Sequence, residues 1–235
     1  MDHLFGLLSL INLQQVSLQD HDVNTIIDTF LALLIAIDVH ELSHALVADS
    51  LGDETPRLAG HITLNPFRHM DQFGILLLIM LSVIGTGFAY GFTPVNETTL
   101  RRKTRFGPAI VSLAGPMANL LLAALVAIPL SHYGIDLSTG AATLYGNEQL
   151  YNFLVLLFVY NVFLAVFNLI PLPPLDGWTI VSAFLSRRTV YEMRSLIRYG
   201  PLILLLLFVF EPNTHILGNT VYPIRDWVAN QLLRL

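Results

Sequence analysis

Two histidines and a glutamate stand close together in the segment His40-Glu41-Leu42-Ser43-His44. On a helix, the side chains at positions i and i+4 lie on one face, so both imidazoles can reach the same metal ion. Glu41, beside the first imidazole, can accept a proton from a water molecule. This H-E-x-x-H pattern therefore predicts a metal site suited to hydrolysis.

The surroundings of this pattern argue against a chance match. Five-residue patterns do occur by chance, but this one lies near the end of the apolar block Ile26–Val47, which is long enough to cross a membrane. An ionisable side chain within a membrane costs about 2.5–3.5 kcal/mol or more, and such residues are functional by default. Three of them within five residues indicate a shared role, which metal binding supplies.

A third ligand must come from elsewhere, because a catalytic zinc ion takes three protein ligands. Asp176 is the candidate, at the end of the segment Asn168-Leu-Ile-Pro-Leu-Pro-Pro-Leu-Asp176-Gly177. Its three prolines break the end of an apolar block and let a short polar side chain turn inward. The same residues also fit an ordinary turn, since Pro-Pro and Asp-Gly are typical turn sequences.

Taken together, these motifs resemble the site-2 protease family of intramembrane zinc metalloproteases. H-E-x-x-H in one apolar block is followed by N-x-x-P-x-x-x-x-D-G in a later one, and the segment 115–119 between them resembles the family's G-P-x-x-N motif. Residues 60–74, with the sequence GHITLNPFRHMDQFG, look like the compact bacterial and archaeal branch. The resemblance covers roughly residues 38–178, and no insertion is large enough for a PDZ or CBS domain.

The resemblance implies a role for each motif residue. His40, His44 and Asp176 would be the zinc ligands, and Glu41 would be the general base. Asn168 would lie close to the metal, where its amide could hydrogen-bond the substrate carbonyl or the oxyanion. Asn168 is also suited to ending a helix or to bonding a neighbouring helix. The implied activity is hydrolysis of peptide bonds in transmembrane protein substrates, within or near the bilayer.

The elements that must position these residues are membrane helices. Of 235 residues, 54% are hydrophobic and 12% are charged, about half the charged fraction of a soluble domain. The apolar residues form four blocks suited to about 30 Å of hydrocarbon: Ile26–Val47, Phe73–Phe92, Ile110–Leu130 and Leu150–Leu172. We predict an all-α, polytopic transmembrane helix bundle of about 4–6 membrane segments, forming one peptidase domain over residues 1–235.

Three shorter segments complete the pattern. Met1–Leu13 is short for a span and has no Lys or Arg, so we interpret it as an interfacial or half-inserted helix rather than a secretory signal. Leu202–Phe210 is a further apolar stretch. In the tail, apolar residues from Ile224 to Leu235 recur at helical spacing around Trp227, which predicts an interfacial helix.

Basic residues predict which side of the membrane the site faces. One cluster, residues 101–105, precedes the third block and another, residues 187–198, follows the fourth, whereas residues 132–149 between the blocks contain no Lys or Arg. The positive-inside rule places both clusters in the cytoplasm, so His44 and Asp176 lie at similar depth in the inner leaflet of the cell membrane. The second block has basic residues on both sides, which leaves open whether it crosses or re-enters.

Two segments have the alternation typical of short strands. They are Thr55–Pro66, bounded by prolines, and Ala89–Val95. We therefore expect short strands or a re-entrant β-hairpin after the first metal-binding helix. An exposed strand edge would hold a locally unwound substrate in an extended form.

Other polar residues have simpler interpretations. Asp38 could support an imidazole N–H of the metal site, although on a helix it does not obviously face His44. His61 and His69 are interpreted as structural, because metal binding requires a convergent geometry that the sequence does not show. Gly115 and Asn119 are interpreted as helix-packing residues, since small residues let helices approach closely.

Composition also limits the alternatives. With no cysteine, the chain has no disulfide, thiolate metal site or cysteine nucleophile, and a net charge of −5 without a basic, aromatic-rich stretch gives no support for nucleic-acid binding. One alternative is a membrane metal-binding or metal-transport protein that uses the same His/Asp site, for which Glu41 has no required role. An inactive relative that only binds membrane partners is another. The sequence leaves a homo-oligomer open.

Overall fold

Helices form almost all the regular structure in the computed structural model, which describes residues 23–84, 91–131, 134–135 and 142–233. The predicted helix at Met1–Leu13 lies outside the described residues. The helices are α1 (Val23–Ser50), α2 (Thr55–Leu58), α3 (Gln72–Ile84), α4 (Glu97–Lys103), α5 (Gly107–Leu130), α6 (Glu148–Asn168), α7 (Asp176–Ser182), α8 (Arg187–Glu192), α9 (Arg194–Thr214) and α10 (Ile216–Leu232). A 3-10 turn spans Pro66–Arg68, and two strands, β1 (Gly134–Ile135) and β2 (Ala142–Thr143), form an antiparallel ribbon.

Three of the described helices, α1, α5 and α6, are long and apolar enough to cross a membrane. They pack against one another in all three pairings. The expectation of a helical membrane protein is therefore confirmed, whereas the count of about 4–6 membrane segments is not. Residues 73–84 of the second apolar block lie in α3, whose 13 described residues are fewer than the roughly 20 that a crossing helix needs.

Small residues on α1 let its neighbours approach closely. Ala32, Ala36 and Ala45 have no exposed surface, and the helix contains no glycine or proline to interrupt it. Large residues at i, i+4 spacing, such as Leu31 and Ile35, cover the opposite, exposed face. In a membrane protein, the buried face contacts other helices and the exposed face contacts lipid.

The centre of the bundle is α6. Phe158, Val162 and Phe167 are fully buried, and they lie in two neighbouring hydrophobic clusters. α10 packs against α6 and contributes Ala229 to the first cluster and Leu217 to the second. The helix predicted in the tail is thus present as α10, although it begins at Ile216, before the predicted stripe.

The strand prediction for Thr55–Pro66 is wrong. Thr55–Leu58 forms α2, with Pro56 in its first turn, where the fixed φ of proline suits a helix. The following residues form bends, and Asn65 then caps the 3-10 turn by accepting a hydrogen bond from the Phe67 N–H at 3.1 Å. Capping and turn residues therefore produced an alternation that imitated a strand. The strand predicted at Ala89–Val95 is likewise not present in its described part, residues 91–95, and the one described ribbon lies elsewhere, between α5 and α6.

Candidate metal centre

α1 presents His40 and His44 side by side. Their ring centroids are 4.6 Å apart, and both rings are buried. The two Nε2 atoms face the same carboxylate oxygen, Oδ2 of Asp176, at 3.1 Å from His40 and 3.3 Å from His44. The three residues predicted as ligands therefore meet at one point, although Asp176 lies at least 132 positions after both histidines in the sequence.

Asp176 reaches this point as the first residue of α7. The proline-rich stretch after α6 turns the chain back, and the next residue, Gly177, packs against α6's end so tightly that a Cβ would lie 2.3 Å from the Leu169 carbonyl oxygen. Burial alone would raise the pKa of Asp176, but the adjacent imidazoles of His44 and His40 lower it to about 2. Asp176 is therefore ionised, as a metal ligand must be.

The donor atoms fit a metal ion. Oδ2 of Asp176 is buried and has no hydrogen-bond partner of acceptable geometry among the described residues. Tetrahedral zinc has bonds of about 2.0–2.1 Å to nitrogen, which places neighbouring ligand atoms roughly 3.3 Å apart. The observed separations of 3.1 and 3.3 Å match that spacing. Within the described residues, this is the one group of three such side chains whose ligand atoms converge.

Hydrogen bonds from the opposite side of each ring orient the two imidazoles. His40 Nδ1 lies 2.6 Å from Oδ1 of Asn119, and His44 Nδ1 lies 2.7 Å from the backbone oxygen of Val111. Both partners are acceptors, so each Nδ1 carries the proton and donates it. In the neutral imidazole that binds a metal, each Nε2 then keeps its lone pair, which points towards Asp176 and is available to the ion.

Asn119 is itself held in one orientation. Its Nδ2 donates to the backbone oxygen of Ala36 at 2.9 Å and to Oδ1 of Asn161 at 2.8 Å, and Nδ2 of Asn161 donates to Leu157 O at 2.7 Å. The amide network thus joins α1, α5 and α6 and leaves Oδ1 of Asn119 facing His40. The interpretation of Asn119 as a packing residue was incomplete, since it also orients the candidate ligand His40, and the G-P-x-x-N motif was the signal for that role.

Gly115 makes room for both imidazoles. A Cβ at this position would lie 2.6 Å from His40 Cε1 and from His44 Cε1, well inside van der Waals contact. Pro116 follows it within α5. The packing role expected for Gly115 therefore applies to the two candidate ligands, His40 and His44.

Glu41 lies in the wall of the same cavity and is 6% exposed. Gly91 covers its side chain, because a Cβ there would lie 2.8 Å from Glu41 Cγ, and the hydroxyl of Thr93 donates to the Glu41 backbone oxygen at 3.0 Å. The cavity has a volume of about 230 Å³. Its wall includes the three ligand residues, Gly91, Phe92, Thr93, Val95, Ser112 and Asn168.

Asn168 borders this cavity but bonds within its own helix. Its Nδ2 donates to the Leu164 backbone oxygen at 3.0 Å. The structure therefore places Asn168 near the site without showing a contact to the ligand residues, and its catalytic role stays a prediction.

Asp38, His61 and His69 form a separate polar cluster. Asp38 faces His69, with 3.5 Å between Oδ1 and Nε2, so it does not support the imidazoles of His40 or His44. His69 is fully buried, and its Nε2 donates to the Thr63 backbone oxygen at 3.0 Å. Burial, aided by the nearby His69, lowers the pKa of His61. The cluster's contacts are those of a folded connection, in agreement with the structural interpretation of both histidines.

Known proteins of similar sequence include named zinc metalloproteases. The model of "Peptidase family M50" matches residues 28–144 and 135–208. The protein "Putative zinc metalloprotease YwhC" of Bacillus subtilis is 35% identical over 199 residues, which are 83% of this chain and 86% of YwhC. "Putative zinc metalloprotease Rip2" of Mycolicibacterium smegmatis is 32% identical over 75% of this chain, and the match spans 64% of Rip2. No solved structure matches the chain.

The family match extends from α1 through α9 and thus includes all three residues that converge in the cavity. The resemblance to site-2 proteases, which the motifs alone indicated, is confirmed. The chain belongs to peptidase family M50.

Proposed function

We propose that this chain is an intramembrane zinc metalloprotease that hydrolyses peptide bonds of transmembrane protein substrates. The observation that carries the proposal is the convergence of His40, His44 and Asp176 beside a buried glutamate in one cavity. Membership of a peptidase family and the zinc metalloprotease names of the relatives support it.

Zinc would be held by Nε2 of His40, Nε2 of His44 and the Asp176 carboxylate. When bound, zinc makes a water molecule more acidic and polarises a carbonyl group. A set of two imidazoles and one carboxylate is a usual ligand set for catalytic zinc. No cysteine is present to favour a closed, purely structural site.

Glu41 moves the proton. As general base, its carboxylate accepts a proton from the attacking water, and it then donates that proton to the amine that leaves. Its burial beside Gly91 holds the carboxylate at the cavity wall, near the ligand residues. The nitrogen must be protonated for the C–N bond to break, so Glu41 acts in both halves of the reaction.

Asn168 supplies a hydrogen-bond donor. Its amide has two N–H groups, and one of them donates to Leu164 O. The other can donate to the carbonyl oxygen of the scissile bond, where negative charge develops. The position of Asn168 in the cavity wall supports this role.

Residues 91–96, here called the edge segment, are the proposed binding site for the unwound substrate. They contain no regular secondary structure, and they line the cavity through Gly91, Phe92, Thr93 and Val95. Phe92 and Val95 are exposed, whereas Thr93 is turned inward. A substrate lying along this segment in extended form would bring a peptide bond past Glu41.

The site opens towards the cytoplasm in this proposal. Basic residues directly precede α5, whose Val111 bonds His44 in its second turn, and others follow α7, which begins with Asp176. By the positive-inside rule, the end of the bundle at the site is the cytoplasmic one, which gives water a route to the cavity.

Replacement of Glu41 tests the proposal against metal binding or transport alone. Purified Glu41→Gln should keep a zinc content equal to that of the wild type and should not cleave a model transmembrane substrate, because an amide cannot accept the proton. Asp176→Ala should lose zinc and activity together. Glu97→Gln, at an exposed position on α4, is the control and should behave as wild type. Cleavage by Glu41→Gln would contradict the mechanism.

A further inference from the structure

Three hydrogen bonds hold the edge segment beside Glu41. The Phe92 N–H donates to the His69 backbone oxygen at 2.8 Å, and the Thr93 hydroxyl donates to the Glu41 backbone oxygen at 3.0 Å. The Asn96 N–H donates to Oδ2 of Asp53 at 2.6 Å. The last two of these bonds each involve a side chain, so each can be removed by mutation.

Asp53 is buried, with 1% of its surface exposed, and both of its oxygens are occupied. Oδ1 accepts from the Thr55 N–H at 3.1 Å and from the Thr55 hydroxyl at 2.5 Å, while Oδ2 accepts from Asn96. A carboxylate buried in this way is costly unless such bonds compensate it. Its two-sided acceptance matters because an amide side chain offers a single oxygen.

Asp53 also connects the edge segment to the helix that carries the chemistry. Its backbone N–H donates to Ala48 O at the end of α1, the helix of His40, Glu41 and His44. Gly52, with φ of +89°, turns the chain between them. Asp53 thus fixes the far end of the edge segment relative to Glu41, while Thr93 fixes its middle.

We propose that Asp53 is a positioning residue that, through the Asn96 N–H, holds the edge segment in line beside Glu41 so that an extended substrate can bind there. This inference rests on the proposed protease function. Asp53 does not touch the substrate or the ligand residues, and its effect is on where the edge segment lies.

The test is Asp53→Asn, which keeps the shape of the side chain but leaves one oxygen for two sets of donors. Loss of a hydrogen bond to a charged group predicts a KM for a transmembrane substrate raised by about tenfold, with kcat changed by less than about twofold because Glu41 and the ligands keep their places. Zinc content should equal that of the wild type. Amide hydrogen exchange across residues 91–96 should be faster than in the wild type, with exchange in α5 unchanged.

Thr55→Val is the matched control. It removes the hydroxyl that donates to Oδ1 but leaves Oδ2 and Asn96 paired. Its KM and its exchange across residues 91–96 should be those of the wild type. If Thr55→Val raised KM as much as Asp53→Asn does, the effect would come from the general stability of the connection, and the inference would be overturned.

Other outcomes are equally informative. An Asp53→Asn protein with wild-type KM and wild-type exchange would overturn the inference and leave the protease function intact. A zinc-loaded wild type that cleaves no transmembrane substrate would overturn the protease function, whatever Asp53 does. Should Asp53→Asn fail to fold, the isosteric Thr93→Val releases the middle of the edge segment and should raise KM in the same way. Unchanged KM in Thr93→Val would then count against the inference.

Discussion

Asn119 directs one metal ligand through a single side-chain oxygen. Its amide donates in two directions, to α1 and to α6, and these bonds leave the oxygen pointing at the His40 ring. A ligand that is oriented before metal arrives loses little rotational freedom on binding. The affinity for metal should therefore depend on a residue that does not touch the metal.

Asn119→Leu tests this dependence. It removes the acceptor for His40 Nδ1, and we expect zinc affinity to fall by about 10–100-fold. Competition with a chelator of known affinity measures the change. Asn168→Ala is the control, because Asn168 lies in the same cavity but bonds only within α6 as described, and its zinc affinity should equal that of the wild type. Equal affinities in all three proteins would contradict an orienting role for Asn119.

We expect substitution of Gly115 to affect metal binding and substitution of Gly91 to affect proton transfer. In Gly115→Ala, the added methyl group meets both imidazole rings at 2.6 Å, so the rings must move and the purified protein should contain much less zinc than the wild type. The measurement is metal analysis of the two proteins. Wild-type zinc content in Gly115→Ala would show that the rings do not occupy the positions described.

In Gly91→Ala, the added methyl group meets the Glu41 side chain instead, with 2.8 Å to Cγ. We expect zinc content to be unchanged and kcat to fall by up to about a hundredfold, the effect of displacing a catalytic group by roughly an ångström. A cleavage assay beside metal analysis checks both parts. Loss of zinc in this variant would show that the two glycines do not act separately.

Much of the site could be predicted at this scale. The spacing of His40, Glu41 and His44 and the proline-broken end of α6 before Asp176 predicted the residues that the structure brings together. The roles of Asn119 and Gly115 could not be derived in the same way, since they depend on which face of α5 meets α1. That choice is made by three-dimensional packing, and only the resemblance of the motif to a family segment pointed to it.

At the scale of elements, Asn161 ties α6 to α5 at a buried position. It accepts from Asn119 and donates to Leu157 O in its own helix. Because both amides are fully buried, each lacks water as an alternative partner. The contact therefore contributes to the packing of the helices and, indirectly, to the orientation of His40.

Asn161→Leu should destabilise the protein moderately. One interhelical hydrogen bond is worth about 0.6 kcal/mol on average and up to about 1.7 kcal/mol in membrane proteins. Unfolding in detergent with increasing denaturant measures the change. Zinc affinity should fall by less than in Asn119→Leu, because Asn119 keeps its bond to Ala36 O. A larger loss of zinc affinity in Asn161→Leu than in Asn119→Leu would contradict the view that Asn161 affects His40 only through Asn119.

The elements themselves were predicted with mixed success. Long apolar blocks predicted α1, α5 and α6, even though α5 contains Pro116 and Pro129, because length and hydrophobicity determine a membrane helix almost alone. The connection after α1 was predicted as strands and is helical and bent instead. There the conformation depends on single capping contacts, such as the hydrogen bond that Asn65 accepts from Phe67. The capping and turn residues alternate with apolar residues in the sequence, but they do not form a strand.

The absence of cysteine makes the orientation of the whole protein in the membrane directly testable. Single cysteines can be placed at Leu58, which is 81% exposed in the connection that follows α1, and at Gln149, which is exposed at the start of α6. With the site at the cytoplasmic end, a membrane-impermeant maleimide added to intact cells should label Gln149→Cys and not Leu58→Cys. Inverted vesicles should give the opposite result. Labelling of Leu58→Cys in intact cells would show that the protein has the opposite orientation in the membrane.

The overall arrangement was less predictable than its parts. Charge distribution predicted the sides of the membrane, but it gave conflicting answers for the second apolar block, whose described part is the short α3. The packing of α10 against α6 has no counterpart in any local pattern, because it depends on contacts between residues some sixty positions apart, such as those of Phe163 with Tyr222.

The donation of both Nδ1 protons to fixed oxygens on α5 has one more consequence. The two rings are aligned by the protein rather than by the ion, so the empty polypeptide and the loaded enzyme should share one fold. Insertion and folding of the protein in the membrane should then not require the metal. Protein synthesised when zinc is scarce would be folded and inactive, and it would become active when zinc is added without having to refold.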